Sequence, residues 1–430
     1  MLLDATSARR GGFSRRPSFQ WLKPPVQAGA FCLAILYGAI AASAQDFTGV
    51  QPVALDQPRI YAQLRRSPGS PALVAKSQGQ STSTIECYLD TGASSVVFSA
   101  NTAKAMGLPY QRTAAGTPVK YEDIGVAGNE TFGVSEPLYG SVATYPNGSD
   151  GNDAADYSNP IGPYRCELRA SSSLLEVITG DLDVIGMPLI QHHVIVMDVR
   201  AVNNVTDKIK TSLVAPNSRL IPPVDERVPL KLVSFSNFTK IIPAAAQGPE
   251  ISPNPIIGLD PLGVLATGPT PLAQFHGKSA KISMLLDTGS VSSMISRRVA
   301  AELGVTYSAD ESTLVGVPAD QQFSLDIGGI GGQKTSRGFY LDCLQIPTDS
   351  KRPLRYFKAP VLVSDITVSN PQTKQSFTLD GVFGMNYLVA SAAITGGLVP
   401  DIGNIQQGPY SFLYIDMEKG VLGLQNAKQK

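Results

Sequence analysis

Two stretches of this chain set a carboxylate directly after an apolar run and directly before Thr-Gly and a string of small residues. The first reads Ile85-Glu86-Cys87-Tyr88-Leu89-Asp90-Thr91-Gly92-Ala93-Ser94-Ser95, and the second reads Ile282-Ser283-Met284-Leu285-Leu286-Asp287-Thr288-Gly289-Ser290-Val291-Ser292. An aspartate at the end of a buried strand is partly desolvated, and glycine lets the backbone turn sharply and approach it closely. Two such carboxylates in contact cannot both ionise, so they would share one proton and titrate as a pair. One could then act as general base toward a water while the other, protonated, polarises a carbonyl. That chemistry calls for no metal and no cofactor.

One Asp-Thr-Gly triplet says little, since chance supplies it in about one chain in twenty of this length. Two in a shared frame say much more. The offset between Asp90 and Asp287 is 197 residues, and it persists downstream: Ala103 matches Ala300, Met106-Gly107-Leu108 matches Leu303-Gly304-Val305, and Tyr110 matches Tyr307. A second block recurs in each half. Asp183-Val184-Ile185-Gly186-Met187-Pro188-Leu189-Ile190 parallels Gly381-Val382-Phe383-Gly384-Met385-Asn386-Tyr387-Leu388, with the glycines 198 apart. Each block is followed by an apolar strand ending in an acid, Val194–Asp198 and Phe412–Asp416. Each half is therefore expected to run strand, Asp-Thr-Gly loop, short helix, hairpins, apolar-Gly turn and final strand.

The elements that must position these residues are legible in composition. Apolar residues make up 43% of the 430 and charged ones 16%, enough for a large core. The 40 Gly and 32 Pro favour many short strands and turns over long helices, so the expected fold class is mainly β. The halves are expected at 45–202 and 263–430, joined by a Pro-rich connection, 203–262, with some strand content. Tyr145–Pro163 is expected to be a polar surface loop inserted in the first half.

Residues 1–44 have the pattern of a signal peptide. Arg9, Arg10, Arg15, Arg16 and Lys23 form a basic head, Ala28–Ala42 an apolar stretch, and Ala42-Ser43-Ala44 a cleavage signal. Ser14–Phe19 resembles a twin-arginine export signal with its Phe one place late. The chain is thus expected to be exported, secreted or periplasmic. The alternative is an uncut N-terminal membrane anchor, against which stand the shortness of the apolar run and the small-residue cut site. Removal takes five basic residues and one acid, leaving 30 against 34 and a mildly acidic chain at −4. Neither that charge nor the balanced 35 against 35 of the full chain points to nucleic acid.

Other chemistries find little support. Beyond Cys32 in the signal, Cys87, Cys166 and Cys343 are odd in number and unrelated in spacing, which gives no disulfide framework. Cys87 is expected to be a small buried core residue. The only histidines are His192, His193 and His276, and there is no CxxC or HExxH, so no metal site is expected. His192-His193 is expected at the surface or a cleft edge. No G-x-S-x-G holds a nucleophilic serine. A carboxylate pair could also cleave sugars, but sugar clefts stack aromatics and the chain past Trp21 has no Trp. Asn-x-Ser/Thr sites at Asn129, Asn147, Asn204 and Asn237 matter only in a glycosylating host.

Asp90-Thr91-Gly92-Ala93 and Asp287-Thr288-Gly289-Ser290, each with its later Gly-Met block, resemble the aspartic proteases of the retropepsin and pepsin type, over most of residues 60–200 and 265–425. The resemblance implies a bilobal, pseudo-two-fold β fold, each lobe a closed or barrel-like unit with a short helix, and a peptide cleft between the lobes. It implies that Asp90 and Asp287 are catalytic, that Thr91 and Thr288 interlock their loops, and that Gly92 and Gly289 lie against the substrate backbone. Asp326-Ile327-Gly328-Gly329-Ile330-Gly331-Gly332 resembles the flap tip of retroviral proteases, which implies a flap and substrate-binding role for Ile327, Gly328, Gly329, Ile330 and Gly331. Asp123-Ile124-Gly125-Val126-Ala127-Gly128 is a fainter copy and adds Ile124 and Gly125. The pepsin-type flap, a Tyr beside a Thr-Gly turn, is absent, with Tyr121 out of pattern. The expected form is therefore two retropepsin-like units fused in one chain, a monomer with an internal pseudo-dimer.

The implied activity is aspartic endopeptidase action on extended polypeptide, about six to eight residues of which would occupy the cleft. Only 45 residues separate Gln45 from Asp90, leaving little room for a long inhibitory prosegment. The exported chain is thus expected to be active without loss of a large N-terminal piece. The alternative is a catalytically silent peptide-binding module with the same fold.

Overall fold

Along Arg59–Arg65, Ile60, Ala62 and Leu64 are buried while Tyr61 between them is exposed. This is the period-two pattern of a strand with one face on a core. Short strands of this kind, punctuated by Gly, Pro and Ser, are the commonest regular element among the described residues. A computed structural model describes residues 45–77, 80–143, 155–171, 181–236, 240–262, 268–369, 376–395 and 399–427. The 1–44 signal segment, much of the 145–163 loop, and Asn147 and Asn237 lie outside the described residues. Among the described residues the fold is mainly β, with three short α-helices, and Ala42–Lys430 forms one compact unit.

The strand pairings repeat with the sequence. Ile85–Leu89 runs parallel to Val184–Ile185, which is antiparallel to Val97–Phe98, which in turn runs parallel to Glu167–Leu168. In the second half Met284–Leu286 runs parallel to Gly381–Phe383, which is antiparallel to Met294–Ile295, itself parallel to Leu354–Val363. A six-residue helix follows each Asp-Thr-Gly loop, Ala100–Ala105 and Arg297–Glu302. Serine starts both: Ser99 Oγ accepts from the Thr102 amide at 3.1 Å and Ser296 Oγ from the Val299 amide at 3.2 Å. These caps satisfy amides that have no partner within the first turn.

The expected closed, barrel-like units are not found. The described strands form open sheets, the two largest of ten and fifteen strands. A sheet edge must be paired, covered or closed, and here additional strands do the pairing. The Pro-rich connection supplies them: Lys240–Ile242 extends the first-half hairpin Lys120–Gly125, while Glu226–Val233 and Asn254–Ile257 join the second-half sheet. The final strands of the two halves also pair, Val194 opposite Asp416 and Asp198 opposite Phe412. This joins the last strand of the first half to the fifteen-stranded sheet, while most of the other first-half strands form the ten-stranded one.

Cys87, Cys166 and Cys343 are buried and free. Cys87, 1% exposed, packs in the main apolar core with Leu89 and Phe98, as its place in an apolar strand suggests.

Candidate active site

Each aspartate is anchored by the second block of its own half. The Asp90 amide donates to Ile185 O and the Asp287 amide to Phe383 O, both at 3.1 Å. The same arrangement continues past the triplets, where Met187 N donates to Ala93 O at 3.0 Å and Met385 N to Ser290 O at 2.9 Å. Close approach of these segments requires the two block glycines. A Cβ on Gly384 would lie 2.6 Å from Ser292 O, and one on Gly186 would collide with Ser95 O. The recurrence of Gly186 and Gly384 is therefore a packing requirement of the aspartate loops.

The loops then cross. The Thr91 amide donates to Thr288 Oγ1 and the Thr288 amide to Thr91 Oγ1, each at 3.1 Å, while each hydroxyl donates to the carbonyl preceding the other aspartate, Leu286 O at 2.6 Å and Leu89 O at 2.7 Å. Both threonines are fully buried. Crossing sets each glycine against the opposite carboxylate: a Cβ on Gly92 would lie 2.6 Å from Asp287 Cγ, and one on Gly289 would overlap the Asp90 carboxyl. The crossing brings the Asp90 and Asp287 carboxyls together, so that each bears on the other's titration.

Their environments differ. Asp90 Oδ1 accepts from the Gly92 amide at 2.7 Å and the Ala93 amide at 3.1 Å, whereas Asp287 Oδ1 is buried without a partner. Burial raises the Asp90 pKa, against the lowering effect of the neighbouring Asp287 carboxyl and of the Gly92 and Ala93 backbone. Burial raises Asp287 well above its ordinary value and the charge on Asp90 raises it further, against the lowering effect of the Gly289 and Ser290 backbone. Both carboxyls are pushed toward their protonated forms, so the pair holds one shared proton rather than two charges.

Both aspartates border a cavity of about 460 Å³, and two hairpins border it as well. One joins Lys120–Gly125 to Gly128–Val134, with Gly125 opposite Gly128; the other joins Gln322–Gly329 to Gly332–Ile346, with Gly329 opposite Gly332. Their tips touch. The Ala127 amide donates to Ile330 O at 3.3 Å and the Gly331 amide to Glu130 Oε2 at 3.2 Å. Gly331 takes φ +88°, a left-handed turn position where glycine is favoured. Of the residues expected at the flaps, Ile124, Gly125, Ile327, Gly328, Gly329 and Ile330 line the cavity. Gly331 instead sits at the contact between tips, against Gly128. Tyr121, also outside the cavity lining, is buried with Val119 and Val134.

Two residues brace the aspartate loops from equivalent places in the repeat: Gln57 and Asn254 are 197 apart, each is followed by Pro, and the pairing of Ile60 with Cys87 recurs as that of Ile257 with Met284. Asn254, 1% exposed, donates through Nδ2 to Thr91 O at 2.9 Å and Gly92 O at 3.0 Å, and its Oδ1 accepts from Ser94 Oγ at 2.6 Å. Gln57 Nε2 donates to Gly289 O. Asn254 lies within 203–262, read from the sequence as a connection, so a comparison confined to 45–202 and 263–430 misses the pair. The signal that could have found it is the same 197-residue offset carried back to Gln57-Pro58 and Asn254-Pro255. Among the described residues no cluster of three or more His, Cys, Asp or Glu is placed to hold a metal ion.

The chain matches no protein-family model, and no curated protein matches its sequence.

Proposed function

We propose that this chain is an aspartic endopeptidase of bilobal, pseudo-two-fold design that hydrolyses peptide bonds in extended polypeptide. The observation that carries the proposal is the contact between the Asp90 and Asp287 carboxyls on mutually braced loops that border the same cavity as two touching hairpins. The symmetric pairing of Val194–Asp198 with Phe412–Asp416 supports the two-fold element.

In this mechanism a water sits between the two carboxyls. One carboxyl, ionised, takes a proton from it as the oxygen attacks the scissile carbonyl carbon, and the other gives its proton to the carbonyl oxygen. A tetrahedral diol results. The first then returns a proton to the leaving nitrogen while the second recovers one from the diol, and the C–N bond breaks. A pair sharing one proton is the arrangement that aspartic proteases use. Backbone amides of the hairpin tips are placed at the cavity to hold an extended peptide, and the tips must part to admit it. Export as a secreted or periplasmic protein, directed by the 1–44 segment, is part of the same proposal.

Asp90→Asn and Asp287→Asn test it directly. Each should lower cleavage of an unfolded protein substrate at acidic to neutral pH by about a thousandfold or more while leaving the circular dichroism spectrum unchanged. Wild-type chain that cuts no unfolded substrate and ignores a statine-type inhibitor would instead mark a peptide-binding module.

A further inference from the structure

The two halves line the cavity unequally. In the second half Met294 pairs with Leu362, and Leu285, Leu325, Ile327, Leu362 and Val382 belong to one apolar cluster. In the first half Val97, the counterpart of Met294, pairs with Glu167. The hairpins differ in the same sense, since Asp326 faces Thr335 whereas Asp123 faces Glu130. Arg169, two residues beyond Glu167, lines the cavity together with Asp123. Where Leu362 stands beside Met294 in the second half, Glu167 stands beside Val97 in the first, and Asp123 and Arg169 line the first-half wall itself.

Around that wall three acids, Asp123, Glu130 and Glu167, stand with one base, Arg169. Arg169, only 5% exposed, reaches Glu130 Oε1 with Nε at 3.3 Å. Glu167 is fully buried, with Ser95 Oγ donating to its Oε1 and its Oε2 left without a partner. Asp123 Oδ1 accepts the Ile124 amide at 2.9 Å. Asp123 thus lines the cavity, with Glu130 and Glu167 behind it and Arg169 engaged by Glu130. Buried carboxylates are costly unless a cation completes their pairing. An entering ammonium or guanidinium would meet Asp123 with two further carboxyl groups, Glu130 and Glu167, behind it. An entering carboxylate would meet repulsion from Asp123 and Glu130, with Arg169 already engaged by Glu130.

We propose that Asp123, backed by Glu130 and Glu167, forms a subsite that takes a basic side chain, Lys or Arg, of the bound polypeptide. The proposal rests on the cavity being the peptide cleft described above, and it names the substrate class. A charge-assisted hydrogen bond in such a partly enclosed site should change affinity about tenfold or more.

The test reads binding and cleavage separately. Fluorescence anisotropy on the full chain carrying Asp287→Asn, so that peptide is not consumed, compares extended peptides with Lys, norleucine or Glu at one position at a time. At one position Lys should bind about tenfold more tightly than norleucine, with Glu weakest, and adding Asp123→Asn or Asp123→Leu should erase the Lys advantage. Equal binding of Lys and norleucine at every position overturns the proposal, as do a preference for Glu, an advantage unchanged in both Asp123 variants, or no binding of any peptide. Wild-type chain assayed for cleavage of the same peptides separates the two ideas. Lys-selective binding without cleavage sinks the hydrolytic function and keeps the subsite, whereas cleavage indifferent to Lys does the reverse.

Discussion

Thr91 and Thr288 each hold the other's backbone: each amide donates to the other's hydroxyl at 3.1 Å, and each hydroxyl donates onward to the carbonyl that precedes the other aspartate. Neither loop has a position independent of the other. A carboxylate pair at contact repels when both members ionise, and this cross-bracing is what the structure sets against that repulsion.

Thr91→Val keeps the shape and removes the hydroxyl, leaving the Thr288 amide and Leu286 O without that partner in a fully buried setting. Each buried group left unpaired costs about 1–3 kcal/mol. Urea denaturation should show a loss of about 2 kcal/mol or more, while Thr91→Ser, which retains the hydroxyl, should recover most of it. Equal stability of the Val and Ser variants would refute the role of the hydroxyl.

Gly92→Ala places a methyl 2.6 Å from Asp287 Cγ, closer than any ordinary contact. The aspartate must shift, and a displacement of about 1 Å at a reacting group can cost about a hundredfold in rate. Gly92→Ala is expected to lower kcat by that order with little change in melting temperature. The same substitution at Gly107, where nothing lies within reach of an added Cβ, carries no such steric penalty at the aspartates. A Gly92→Ala enzyme with wild-type kcat would show that the glycine does not hold the carboxylate in place.

Asn254→Ala removes two donors from the Thr91 and Gly92 carbonyls and one acceptor from Ser94. A loss of about 2 kcal/mol is expected by chemical denaturation. Asn254→Asp at neutral pH should be worse than Ala, because it turns a carboxylate toward two carbonyl oxygens. If the Asp variant proves the more stable of the two, the assigned orientation of the Asn254 amide is wrong.

Stability should fall as pH rises through the mildly acidic range. Burial raises Asp183 from 3.8 to about 6, and burial followed by the charge of Glu130 raises Asp123 from 3.8 to about 6. Between those values the folded chain holds more protons than the unfolded one, so unfolding becomes easier with each step upward in pH. Below about pH 4 and above about pH 6 these two groups contribute no further slope, and within the window each contributes up to about 1.4 kcal/mol per pH unit. Glu167 and Asp287, raised further by burial, extend the same trend upward. Asp310 and Glu311, lowered by Ser308 and Arg297, act oppositely but are fully exposed and screened by salt. Urea midpoints compared at about pH 4.5 and about pH 7 should favour the lower pH; a midpoint that rises with pH contradicts the burial of these acids.

The aspartate loops were legible because the chain states them twice. Asp90 and Asp287, with Gly186 and Gly384, recur in one frame, and local physics explains the recurrence: each aspartate amide is tied to the carbonyl just before its block glycine. The hairpin tips were legible for a similar reason, since two-residue reversals call for glycine, and Gly328, Gly329 and Ile330 line the cavity as expected. Gly331 was assigned to the flap from the same glycine run, yet it touches the other tip. A glycine run does not say which of its members faces inward. Closed units were expected and are absent, because edge pairing by strands of the 203–262 connection depends on residues far apart in the chain.

By itself, then, the sequence determined which residues correspond: a duplicated pattern makes Asp90 and Asp287 equivalent within their halves, and a composition rich in Gly and Pro makes those halves β. Only the tertiary structure decided what makes the two aspartates unlike. The Gly92 and Ala93 amides converge on Asp90, while Asp287 Oδ1 is left without a partner. A repeat records what its copies share, whereas desolvation and hydrogen bonding act through space on whatever the fold brings near. The first-half wall, lined by Asp123 and Arg169 with Glu130 and Glu167 behind, is the same lesson at the scale of the cavity.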